Sequence, residues 1–73
     1  MSMEKLAQEY RRGAADIRAR IDELRTRTEN PRISPDERFA LKQRILSLEC
    51  IMGETMRTAY IIENYYGGRV RAS

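Results

Sequence analysis

Two long stretches of the chain repeat apolar residues at alternating spacings of three and four, and a proline-containing break divides them. In the first stretch Met3, Tyr10, Ile17 and Leu24 share one heptad position, while Ala7, Ala14, Ile21 and Thr28 share the other. In the second, Leu41, Leu48, Thr55 and Ile62 alternate with Ile45, Met52, Ala59 and Tyr66. Seams of this spacing, sustained over several heptads, belong to helices that pack along their length. No segment shows the alternation of a half-buried strand. The expected class is all-α, an antiparallel, coiled-coil-like two-helix hairpin occupying the single domain 1–73.

The ends of each helix are legible. Pro31 disfavours helical geometry at Asn30, so the first helix is expected over 3–29. Residues 30–34 form the loop. Ser34 is the natural N-cap of the second helix, and Pro35 sits at the first position, where its missing N–H costs nothing. Asp36 complements the positive helix end, and Glu37 completes an S-x-x-E capping box. The second helix is expected over 35–66, stopped by Gly67-Gly68, with 67–73 a disordered tail. At 1.5 Å per residue the helices are roughly 40 and 48 Å long.

A short loop makes the helices antiparallel neighbours. One register pairs Thr28 with Leu41, Leu24 with Ile45, Ile21 with Leu48, Ile17 with Met52 and Ala14 with Thr55. Toward the chain ends it pairs Tyr10 with Ala59, Ala7 with Ile62 and Met3 with Tyr66. Large residues there meet small ones, a complementarity the heptad alignment does not impose. The same register sets Arg18 near Glu49 as a flanking ion pair, with Arg25 near Lys42 and Arg27 near Arg44 as like-charged neighbours.

The second helix has more apolar surface than one seam uses. Phe39, Leu46, Gly53 and Tyr60 recur every seven residues on nearly the opposite side, with Cys50 beside them. Ile51, Met56, Ile61 and Tyr65 widen this surface. A helix apolar on two sides needs two covers. The expectation is self-association as a homodimer, an antiparallel four-helix bundle with the second helix central. Phe39, Leu46, Cys50, Gly53 and Tyr60 are the candidate interface, and Gly53 is the point of close approach. Docking of another helical protein is the alternative cover.

Composition limits the chemistry. The chain has 73 residues, no His and a single Cys. A His-based triad, an intramolecular disulfide and a zinc site of several Cys or His ligands are therefore excluded. Cys50 has no histidine to activate it and reads as a small apolar side chain. Glu4, Glu9, Asp16, Asp22, Glu23, Glu49, Glu54 and Glu63 fall outside the heptad cores. The inward E-x-x-H element of carboxylate-bridged metal bundles is missing. The expectation is no enzyme, no metal and no cofactor.

Charge offers an alternative. The chain carries 14 Lys+Arg against 11 Asp+Glu, a formal net charge of +3. Arg25, Arg27, Arg32, Arg38, Lys42 and Arg44 gather at the loop end against Glu29, Asp36 and Glu37, and are candidate phosphate contacts. Tyr60, Tyr65 and Tyr66 precede Arg69 and Arg71, an arrangement able to stack single-stranded nucleic acid. Packing of these rings against Met3 and Leu6 is the plainer reading. No run approaches the ~20 apolar residues of a membrane span, the N-terminus lacks a signal-peptide core, and a lone thiol suits a reducing interior, so the expected location is cytoplasmic.

The Arg-rich first helix, the Pro-containing break, the capped second helix and the terminal Ile61-Ile62-Glu63-Asn64-Tyr65-Tyr66 together resemble small two-helix proteins of bacterial mobile elements and prophages. The resemblance covers most of the chain but rests on layout. It implies a bacterial context and assigns no residue a role. The function expected from the residues is an oligomeric helical interaction or adaptor protein. The alternative is a small nucleic-acid-binding accessory or regulatory protein using the basic loop end.

Overall fold

The computed structural model describes residues 2–67. Two helices, α1 (Met3–Thr28) and α2 (Pro35–Ile62), pack against each other, and a π-helical turn, Glu63–Gly67, continues α2.

Each helix begins on a serine. Ser34 accepts a hydrogen bond from the Glu37 backbone N–H at 3.1 Å, with Pro35 in the first turn. Ser2 does the same for α1, accepting from the Lys5 N–H at 3.1 Å. At the far end of α1 the chain turns through Asn30, whose side-chain oxygen accepts from the Arg32 N–H at 2.9 Å. Arg38 then reaches back from α2. Its Nε donates to the Thr28 carbonyl at 3.2 Å and its terminal nitrogen to the Asn30 carbonyl at 3.1 Å. Carbonyls at a helix C-terminus lack intrahelical partners, and the Arg38 guanidinium satisfies them from the neighbouring helix.

The seam buries Ala7, Ala14, Ile21, Leu24, Ile45, Ala59 and Ile62. Its densest part lies toward the loop, where Ile21, Leu24 and Ile45 form a core with Ile17, Leu41, Leu48 and Met52 packed around it. Every member is a heptad residue. Toward the chain termini the buried residues are Ala7, Ala14, Ala59 and Ile62, and Met3 and Tyr10 remain partly exposed.

Two cross-helix ion pairs close one flank. Arg11 holds Glu63 in a two-pronged contact at 2.8 and 2.5 Å, and Arg25 holds Glu49. The residue numbers of both pairs add to the same total, as antiparallel packing requires. The expected partner of Glu49 was Arg18, and the structure corrects this. Side chains on an α-helix lean toward its N-terminus. On antiparallel helices two such leans converge only for pairs whose numbers add to more than those of the facing core layers. Arg25 and Glu49 lean together, whereas Arg18 and Glu49 lean apart. Beside Glu63, the Arg11 guanidinium is held above its usual pKa, first by the hydrogen bond and then by the carboxylate's charge.

The end of α2 also departs from expectation. The α-helix stops at Ile62 rather than running to residue 66, and Gly67 belongs to the π-helical turn rather than to the tail. There the Asn64 side-chain amide donates to the Tyr60 carbonyl at 2.8 Å. That carbonyl is the usual partner of the residue 64 backbone N–H, so the side chain competes with the α-helical ladder where the wider turn begins. Gly68 and the remaining tail lie outside the described residues.

Candidate interaction surface

The outer side of α2 stays uncovered after the seam forms. Phe39 is 64% exposed, Leu46 59% and Tyr60 61%. Cys50 and Gly53 are exposed on the same side, with Met56 and Ile61 exposed at its edges. All five candidate interface residues therefore share one uncovered strip, facing away from α1. Ile51 is exposed on a different flank of α2, and Tyr65 is exposed in the π-helical turn.

The strip follows from local sequence. Residues seven apart return to nearly the same face after two turns, so Phe39, Leu46, Gly53 and Tyr60 line up along the helix axis. Gly53 leaves a gap in that line. A Cβ built at Gly53 meets nothing within 4 Å, and the same is true of Gly13 on α1. The Cys50 thiol points along the strip toward a Glu54 carboxylate oxygen at 3.9 Å. It is a free, exposed thiol.

Taking about 200 Å² for a full-sized apolar residue, Phe39, Leu46, Met56, Tyr60 and Ile61 together leave about 500 Å² uncovered on this side. That is about the size of the largest apolar patch a single chain carries, and such patches are often functional. The polar flank toward α1 is closed by the Arg25–Glu49 and Arg11–Glu63 pairs, so the apolar strip has a charged but internally neutralised border.

The loop-end cations are arranged differently from the expected cluster. Arg38 is half-buried and committed to the Thr28 and Asn30 carbonyls, while Arg25 is committed to Glu49. Arg27, Arg32, Lys42 and Arg44 are exposed and make no side-chain hydrogen bond or ion pair among the described residues. They remain interspersed with Glu29, Asp36 and Glu37, which are also exposed. Of the tyrosines, Tyr60 and Tyr65 are open to solvent rather than packed against the start of α1.

A shallow groove of about 410 Å³ lies along α1, lined by Leu6, Glu9, Tyr10, Gly13, Ile17 and Thr55. Periodicity did not foretell it. Ala7 and Ala14 are buried in the seam, while Tyr10 and Gly13 line the α1 side of the groove, where a Cβ at Gly13 meets nothing within 4 Å.

Among the described residues, no three His, Cys, Asp or Glu side chains converge as metal ligands would. No helix among them is long and apolar enough to cross a membrane. Comparison with protein-family models, curated proteins and solved structures finds no match.

Proposed function

We propose that the chain is a non-enzymatic helical interaction protein whose working form is a self-associated assembly with α2 at its centre. One observation carries this reading: the outer strip of α2 leaves Phe39, Leu46 and Tyr60 each more than half exposed in one line. A two-helix hairpin of this length has little core of its own. Three of its buried residues, Ala7, Ala14 and Ala59, contribute small side chains. Covering the strip with a second copy removes its apolar surface from water and adds the core that a small domain lacks. A C2 homodimer is the commonest closed arrangement, and the same strip then serves both partners.

The alternative of phosphate contact at the loop end draws on fewer cations than the sequence suggests. Arg25 and Arg38 already have partners, and four free cations face three nearby carboxylates. Nucleic-acid modules present a stronger and less neutralised patch.

Sedimentation equilibrium or light scattering at micromolar concentration tests the reading. The chain is expected to run at twice its 8.6 kDa mass or a higher multiple. Leu46→Glu, which places a carboxylate in the strip, is expected to lower the mass to that of one chain. A well-folded monomer at tens of micromolar would sink the proposal.

A further inference from the structure

Granted that α2 meets a second copy, the residues along the strip determine how. We infer that the two α2 helices pack antiparallel about a twofold axis beside Cys50, so that Leu46 of each copy lies over the partner's Gly53.

The strip is nearly its own reverse. Running it backwards about the point between Glu49 and Cys50 exchanges Phe39 with Tyr60 and Leu46 with Gly53. In this register each ring end meets a ring end, and the bulkiest aliphatic side chain meets the one position that has no side chain. The space is present, since nothing in the chain itself lies within 4 Å of a Cβ at Gly53. A mid-helix glycine costs about 1 kcal/mol relative to alanine, and nothing within the hairpin offsets that cost. A close α2–α2 approach does, because the partner's Leu46 fills the gap at interior packing density. Shifting the register by a heptad either way sets Leu46 against Leu46 or Gly53 against Gly53 and leaves one aromatic end uncovered. Parallel pairing also sets like on like along the whole strip.

Area and charge agree with this occupant. The exposed apolar surface of about 500 Å², extended by Cys50, Gly53 and the stems of Gln43 and Arg57, approaches the ~800 Å² per partner of a standard interface. Glu49 is the one charged side chain that such an axis brings toward its own copy. It is already neutralised by Arg25 within each chain. The four helices then form a row, α1 and α2 of one copy followed by α2 and α1 of the other, because the strip faces away from α1.

The native thiol reports the register. At an interaxial distance of 8–10 Å the two Cys50 Cα atoms, offset by about 1.5 Å along the axis, fall within the roughly 4.4–6.8 Å span of a disulfide. Treatment with diamide, which takes up the two thiol hydrogens, is expected to convert most of the folded protein into a covalent dimer. The same treatment in urea is the control for random collision. Parallel pairing would also bring identical residues together, so a second variant is needed. Cys50→Ser combined with Arg57→Cys puts the new thiols about 22 Å apart in the antiparallel register and side by side in a parallel one. No cross-link is expected from it.

Sedimentation of the same samples separates the two levels. A dimer in which the Arg57→Cys variant cross-links, or in which neither thiol does, overturns the register and leaves self-association standing. A folded monomer overturns both.

Discussion

The two helical glycines offer a paired experiment with an internal control. Gly13 and Gly53 each sit inside a helix, and a Cβ at either meets nothing within 4 Å of the chain itself. In an isolated hairpin both alanine variants therefore gain the same quantity, the helix-propensity difference of about 1 kcal/mol. For a domain of this size that is a rise in Tm of about 4–8 °C. Self-association through the outer strip breaks the symmetry. Gly13→Ala still gains, since Gly13 is on α1 away from the strip. Gly53→Ala inserts a methyl under the partner's Leu46, and twice per dimer. Overpacking of this kind costs about 1–3 kcal/mol, enough to cancel the propensity gain and to raise the dimer dissociation constant tenfold or more. The assay is thermal unfolding by circular dichroism over a hundredfold range of concentration, with sedimentation on the same samples. Equal, concentration-independent gains at both sites would refute the placement of Gly53 in an interface. Failure of Gly13→Ala to raise Tm would refute the propensity reasoning itself.

Leu24→Ala is expected to destabilise by about 3 kcal/mol, because Leu24 is almost wholly enclosed in the densest part of the seam; a urea midpoint unchanged from the parent would contradict that core. Arg38→Ala leaves the Thr28 and Asn30 carbonyls without their donor and is expected to cost about 1–2 kcal/mol, while Arg44→Ala, exposed and unpaired among the described residues, is expected to stay within about 0.5 kcal/mol. Equal urea midpoints for these two variants would show that Arg38 is an ordinary surface cation.

The seam was legible because helical geometry turns spacing into direction. Ile17, Ile21 and Leu24 are separated along α1 by the intervals that return a side chain to one face, as Leu41, Ile45 and Leu48 are along α2, and no tertiary knowledge is needed to group either set. Ser34 and Pro35 were legible for a similar reason, since capping is decided within one turn. Ser2 carries the same chemistry but lacks an acidic residue three positions on, so the capping-box pattern passed over it. The outer strip on α2 was legible as a surplus of apolar residues at a second heptad position.

The partners of the cations were not legible. Arg18, Arg25 and Arg38 look alike in sequence, and each lies near the loop-end half of the hairpin. Which of them meets Glu49 depends on the lean of side chains on two helices running in opposite directions, and Arg25 meets it. The charge of Arg38 is visible in sequence and places it among candidate phosphate contacts, whereas the bare carbonyls at the end of α1 come near it only when the loop closes. The groove beside Tyr10 and Gly13 likewise exists only once Thr55 of the other helix forms part of its wall.

What the sequence determined by itself is thus the set of features governed by interactions within a few residues: helix type, the caps of α2, the faces of each helix and the apolar surplus of α2. Backbone geometry makes these local, so they survive without knowledge of the neighbour. What only the tertiary structure decided is which charged groups are spent inside the hairpin and where Thr55 closes a groove beside Tyr10 and Gly13. Those outcomes depend on the relative lean and level of two antiparallel helices, a relation between residues far apart in the chain.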